Sequence, residues 1–201
     1  ALMDWAAYLS YVVLNCITPG PNNMLSMSGA AQRGFSYSLR YICGVFIGFF
    51  IVCLLAGGFT ALLYDVLPAI EPWLLALGAA YILYLAWLVW RSKPGEGGAG
   101  DKSRGVLSGI AMQFVNVKGL LFAVTAMGSY ILPHWRGVLP VLLCSLLMAA
   151  VSFVSCCIWA ACGAALVGAY KKHTRAVNAV MALALAWCAA KLLIELAGRF
   201  V

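Results

Sequence analysis

Apolar residues in this chain gather into long runs that recur along its whole length. Each run is near the roughly 20 residues that take an α-helix across a hydrocarbon core of about 30 Å. Six are legible: Trp5 to Ala31, Leu39 to Leu63, Trp73 to Trp90, Val106 to Leu132, Leu139 to Ala169 and Ala176 to Leu196. They predict six membrane-spanning helices, the fifth long enough to tilt or to begin as an interfacial turn. The first run is too long for a cleavable signal peptide and has no basic segment before it. Only Arg91 to Gly105, with its PGEGGAG stretch, has linker character.

That linker separates repeat 1 (about residues 1–90) from repeat 2 (about 106–201), with three spans in each. Three is odd, so halves that share a fold must sit upside down relative to one another, the plan of many secondary transporters whose sites lie at interrupted helices near the midplane. The first span of each half carries a polar disturbance. In one it is Asn15 followed by Thr18, Pro19, Gly20, Pro21, Asn22 and Asn23; in the other it is Gln113 to Gly119, QFVNVKG. The prediction is an all-α integral membrane domain spanning residues 1–201, with six transmembrane helices as two inverted three-helix repeats and the first helix of each half interrupted.

Composition agrees: 65% of the 201 residues are hydrophobic and 9% charged, against roughly 25% charged in a soluble domain. The net charge of +7 at first suggests nucleic acid, but its placement reads as topology. Arg33 and Arg40 follow span one, Arg91, Lys93, Lys102 and Arg104 follow span three, and Lys171, Lys172 and Arg175 follow span five. Asp65, Glu71, His134 and Arg136 occupy the alternate loops, and His173 joins the basic group after span five. The basic side is cytoplasmic by the positive-inside rule, so both termini face outward. The eight cysteines all fall within spans without a C-x-x-C pair, which reads as small apolar packing rather than redox or metal chemistry. Neither a cofactor nor a metal is implied.

Small residues at every fourth position (Ser152, Cys156, Ala160, Ala164, Gly168), with Gly44 and Gly48 in span two and Ala182, Ala186 and Ala190 in span six, form seams for close helix approach, one of them able to support a homodimer. Tyr81, Tyr84, Trp87 and Trp90 read as interfacial anchors.

The interruptions carry the chemistry. Pro19 and Pro21 remove amide donors and Gly20 opens backbone angles, so a break is expected at a depth where irregular backbone survives only if protein buries it or it lines a wet cavity. A half-helix starting near Pro21 would aim its free amides and positive dipole end at an anion such as a carboxylate. Lys118 lies about a dozen residues from either end of its span, where a charge costs several kcal/mol unless it meets water or a partner. No Asp or Glu lies centrally in any span. Lys118 therefore snorkels, faces backbone carbonyls, or is neutralised by a carboxylate-bearing substrate. Lys191 has Glu195 one turn on and reads as an ion pair. Asn15, Gln113, Asn116, Thr125, Ser129 and Ser152 supply neutral hydrogen-bonding groups, which suits a small polar cavity for a zwitterion.

TPGPNN in the first span, the RGF triplet Arg33–Gly34–Phe35 and the Asn-Val-Lys of the fourth span together resemble the LysE/RhtB family of amino-acid exporters over essentially the whole chain. QFVNVK, Thr125–Ala126, Leu132–Pro133, GAAYI (Gly78 to Ile82) and LAW (Leu85 to Trp87) look like its cysteine/O-acetylserine branch. The resemblance implies efflux of cysteine, O-acetylserine or a related small amino acid across a bacterial inner membrane, with proton antiport the family expectation. On the reading of the two interruptions, the substrate site is expected at Asn15, Thr18, Pro19, Gly20, Pro21, Asn22, Asn23, Gln113, Asn116 and Lys118. Many members have Asn-Pro-Lys where this chain has Val117, which implies a less sharply broken fourth helix. Export of another amino acid such as threonine or homoserine is the nearest alternative. A membrane thiol oxidoreductase is the alternative from another class, opposed by the lack of a C-x-x-C, of a histidine within a span and of a paired acid and base.

Overall fold

The computed structural model describes residues 3–91, 105–135 and 137–198, the side chains at 60–68, 71, 74, 167–171 and 195 excepted. All regular elements among them are helical. The predicted linker at 92–104 and Arg136 lie outside the described residues.

The first apolar run is two helices, α1 (Trp5–Ile17) and α2 (Pro21–Arg33), of 13 residues each. Asp4 starts α1 by accepting the Ala7 amide at 3.0 Å, a side-chain N-cap. The helix stops where the prolines begin. Gly20 is extended (φ −159°, ψ 177°), and Pro21 opens α2 at the position where its missing amide and fixed φ suit a helix start. Gly34, with φ 91°, takes a backbone conformation that side chains disfavour. The RGF triplet is therefore the turn that passes the chain to α3 (Phe35–Gly58).

α4 (Thr60–Arg91) is one unbroken helical assignment. Asp65 and Glu71 thus lie on helical backbone, not in the connecting loop expected from their charge. A helix satisfies its own amides and carbonyls, so it extends past the apolar run instead of leaving them unpaired. The same correction applies after α7 (Val138–Ala165), where only Leu166 intervenes before α8 (Val167–Ala197). Lys171, Lys172 and Arg175 lie on α8 backbone, and the expected loop is reduced to non-helical angles at His173 (φ −132°, ψ 44°).

In the second half, α5 (Val106–Val115) and α6 (Val117–Thr125) meet at Asn116. α5 and the helical stretch Val117–Ile131 are bent by 68° there. The break is present without a proline at Val117. Asn116 leaves helical angles (φ −83°, ψ 87°), and its Oδ1 accepts the Gly119 amide at 3.4 Å, so an asparagine cap replaces the proline. A π-helical turn, Ala126–Ile131, continues α6.

By length and apolarity three described helices qualify as membrane spans, Phe35–Gly58, Val138–Ala165 and Lys172–Ile194, and the bent pair makes a fourth. Trp5–Ile17 and Leu75–Arg91 are shorter apolar helices.

α3 packs on α5 and α7, α2 on α7, and α4 on α8. At the α2–α7 crossing a Cβ on Gly163 would run into the Met27 carbonyl, so glycine sets the helix separation there. Ser152, Cys156 and Ala160 of the predicted α7 seam are buried. Buried apolar residues form two clusters. One joins α2, α4, α5 and α8 with the Tyr41–Val45 part of α3 and Cys156 and Ala160 of α7. The other joins α1, α6 and the π turn with Phe49–Ala56 of α3 and Cys144–Ala149 of α7. The helix breaks fall between these clusters. Tyr84, Trp87 and Trp90 are exposed, with Arg91 over the Trp87 ring at 5.0 Å, as suits interfacial anchors.

Candidate functional site

The two breaks meet. Six residues of the first interruption, Asn15, Thr18, Gly20, Pro21, Asn22 and Asn23, line one small cavity of about 40 Å³ together with Gln113, Asn116 and Lys118 from the second. Of the ten residues singled out from the sequence, only Pro19 is missing from that lining; it is exposed. Cys16, Phe49, Gly119, Phe122 and Ser152 complete the wall. Phe49 and Ser152 mark where α3 and α7 pass from one apolar cluster to the other. A larger cavity of about 210 Å³ shares Asn15, Lys118 and Phe122 and adds Tyr11 and Thr125 among others. Ser129 lines neither. Among the described residues no lining residue of either cavity is acidic.

Hydrogen bonds pair the breaks. Asn22 Nδ2 donates to Gln113 Oε1 at 3.0 Å, and Gln113 Nε2 donates back to Asn22 Oδ1 at 3.1 Å. Gln113 Nε2 also reaches the Gly109 carbonyl at 3.0 Å, and the Tyr41 hydroxyl reaches Asn22 Oδ1 at 3.4 Å. Gln113 is only 1% exposed, so its amide has to be satisfied by protein groups.

The carbonyls at the end of α1, orphaned by the break, are met by side chains. Asn23 Nδ2 donates to Cys16 O at 2.8 Å and to Thr18 O at 3.1 Å. Ser155 Oγ donates to Cys16 O at 2.7 Å and Trp159 Nε1 to Ile17 O at 3.2 Å. Asn15 Nδ2 donates to Tyr11 O at 3.0 Å, and the Thr18 hydroxyl to Leu14 O. Half-buried Lys118 donates to Thr18 O at 3.0 Å across 100 residues of sequence. Of the fates open to this lysine in the sequence, the structure shows the backbone-carbonyl one. Lys191 instead lies 5.7 Å over the Trp187 ring; the Glu195 side chain expected to pair with it lies outside the described residues.

A column of rings leads away from the cavity. Phe49 stacks on Phe122 at 5.5 Å, Phe122 meets Tyr11 at 5.5 Å, and Tyr11 stacks on Tyr130 at 5.4 Å. Tyr130 then meets Tyr8, Tyr8 meets Trp5, and Trp5 meets Trp135 at 5.1 Å.

A family model described as LysE type translocator matches residues 13–196. The chain belongs to the LysE family of translocators. The match covers both helix breaks and the whole lining of the smaller cavity, and membership makes the protein a transporter, not an enzyme; the thiol oxidoreductase reading falls with it. The cysteine/O-acetylserine efflux protein of Salmonella typhimurium is 35% identical over 187 residues, 93% of this chain and 96% of the relative. The protein of that name from Escherichia coli O1:K1 is 36% identical over the same coverage. No solved structure matches. As a LysE translocator with apolar helices of spanning length, the protein is a multi-pass membrane protein.

Sequence reasoning missed the apolar part of the wall, Cys16, Phe49 and Phe122, and the satisfying groups Tyr41, Ser155 and Trp159. Cys16 had a signal, since it lies between Asn15 and Thr18 on the broken helix. Ser155 and Trp159 had none; they meet α1 only through the fold.

Proposed function

We propose that this LysE-family chain exports a small neutral amino acid, cysteine or O-acetylserine, from the cytoplasm across a bacterial inner membrane. The observation that carries the reading is the convergence of two broken helices on one cavity with a lysine and, among the described residues, no acidic group in its lining. The N-terminal ends of α2 and α6 and the Lys118 ammonium concentrate positive potential, which suits a substrate carboxylate. Asn15, Ser152 and the backbone carbonyls offer acceptors for an ammonium group. The names of the relatives narrow the substrate class. The ten residues from Asn15 to Lys118 singled out in the sequence form the substrate site, with Pro19 acting through the backbone shape it imposes.

Six spans in two inverted halves, termini outside, give alternating access around this site, driven by a proton or substrate gradient. In this arrangement the ring column from Phe122 to Trp135 closes the outer route. Proteoliposomes loaded in turn with radiolabelled cysteine, O-acetylserine, threonine, homoserine and lysine test the reading, with and without an imposed proton gradient. Efflux of cysteine and O-acetylserine alone supports it; efflux of threonine and homoserine in their place moves the substrate, and lysine efflux removes the neutral class. A well-folded Lys118→Ala protein should lose transport, and normal efflux by it would remove Lys118 from the site.

A further inference from the structure

Lys118 already sits where a substrate cation belongs. The carbonyls closing α1 form its negative dipole end, and they take five side-chain hydrogen bonds. Four come from neutral groups of Asn23, Ser155 and Trp159. The fifth, to Thr18 O, comes from a flexible ammonium whose side chain lines both cavities. With no acidic residue among the described residues of either lining, the end of α1 is the strongest acceptor they offer to a cation. Gly20 leaves room for this pose: a Cβ there would already touch Lys118 Nζ at 3.4 Å and Cδ at 3.5 Å.

We propose that the Thr18 carbonyl end of α1 is the subsite for the substrate's α-ammonium, and that Lys118 fills it as a built-in surrogate when the site is empty. This rests on the amino-acid reading above. A zwitterion entering the cavity puts its ammonium on Thr18 O and displaces Lys118 Nζ, and the released lysine pairs with the substrate carboxylate. The net charge of the site is the same before and after, since the zwitterion is neutral overall. A ligand with only the ammonium cannot make this exchange, because it evicts one cation and gives it no counter-charge. The exchange also has a mechanical result. The Lys118–Thr18 bond joins α6 to α1, the broken helices of the two halves, and the substrate removes it.

The test uses three ligands with one thioether skeleton: S-methylcysteine, 2-(methylthio)ethylamine without the carboxylate, and 3-(methylthio)propionate without the ammonium. Binding to the purified protein is measured by calorimetry for the wild type, Lys118→Met and Lys118→Gln, the last keeping a neutral donor for Thr18 O if the methionine variant folds poorly. In the wild type the zwitterion should bind and the carboxylate-only ligand should outcompete the amine. In both variants the amine should gain at least about tenfold, corresponding to about 1.4 kcal/mol, while the carboxylate-only ligand weakens. Zwitterion binding with no gain of the amine in either variant overturns the surrogate role and leaves the amino-acid reading standing. Failure of the wild type to bind the zwitterion removes both. Since the wild-type ranking needs no variant, an amine that binds wild type better than the carboxylate-only ligand also overturns it.

Discussion

Gln113 and Asn22 lie 91 residues apart and exchange two hydrogen bonds between α5 and α2, so a double-mutant cycle on them measures whether the two helix breaks are coupled. Gln113→Met keeps length and apolar volume but removes the amide, leaving Asn22 Nδ2 without its partner. Asn22 Oδ1 retains the Tyr41 hydroxyl. A buried group left unsatisfied costs about 1–3 kcal/mol; Asn22 is only part-buried beside the cavity, so the expected loss for this single variant is near the lower end, about 1 kcal/mol. Asn22→Ala leaves Gln113 Nε2 on the Gly109 carbonyl but takes the donor from Gln113 Oε1 in a side chain only 1% exposed, so it should cost at least as much. Interhelical hydrogen bonds in a membrane protein average about 0.6 kcal/mol and reach about 1.7. Two of them therefore predict a coupling of about 1 kcal/mol, with about 3 as a ceiling. The assay is reversible unfolding in mixed detergent micelles of the wild type, both single variants and the double variant. Additive pairs scatter within about 0.5 kcal/mol, so a coupling inside that band would refute the reciprocal bond and with it the joining of the breaks.

Gly163→Val pushes a side chain into the Met27 carbonyl; overpacking of this kind costs about 1–3 kcal/mol, read as a lower midpoint in the same unfolding assay. Asn23→Ala strips donors from Cys16 O and Thr18 O and should destabilise by about 1–3 kcal/mol while lowering efflux from proteoliposomes more than Asn22→Ala does. In a protein with Cys16 as its single cysteine, saturating O-acetylserine should slow labelling by a small methanethiosulfonate, since Cys16 lines the cavity. An unchanged labelling rate would place the substrate elsewhere.

Local chemistry made the breaks legible in the sequence. Two prolines around Gly20 cannot continue a helix wherever they fall, and a lysine deep in an apolar run demands an account by itself. Asn116 was visible as a polar interruption, though not its cap, which lies in the side chain accepting the Gly119 amide rather than in a proline ring. Charge misled at Asp65, Glu71 and Lys171 to Arg175. A charged residue leaves the apolar core without leaving the helix, so polarity marks the edge of a span better than the end of an element. The tertiary half of the site was hidden. Nothing in Ser155 or Trp159 distinguishes them from other α7 residues until α7 crosses the end of α1, and the Asn22–Gln113 exchange depends on a crossing of α2 and α5 that no local pattern specifies.

The tethers on the end of α1 have a consequence for how the protein is made. Ser155 and Trp159 meet the carbonyls of Cys16 and Ile17 from 139 and 142 residues downstream. A chain emerging from the ribosome inserts its first break long before α7 exists. Until then Cys16 O has only Asn23, and Ile17 O needs water or another protein, because lipid offers no donors. The first break must therefore wait in a hydrated or chaperoned setting for α7, and a chain truncated before Ser155 should stay bound to the insertion machinery instead of settling in the bilayer.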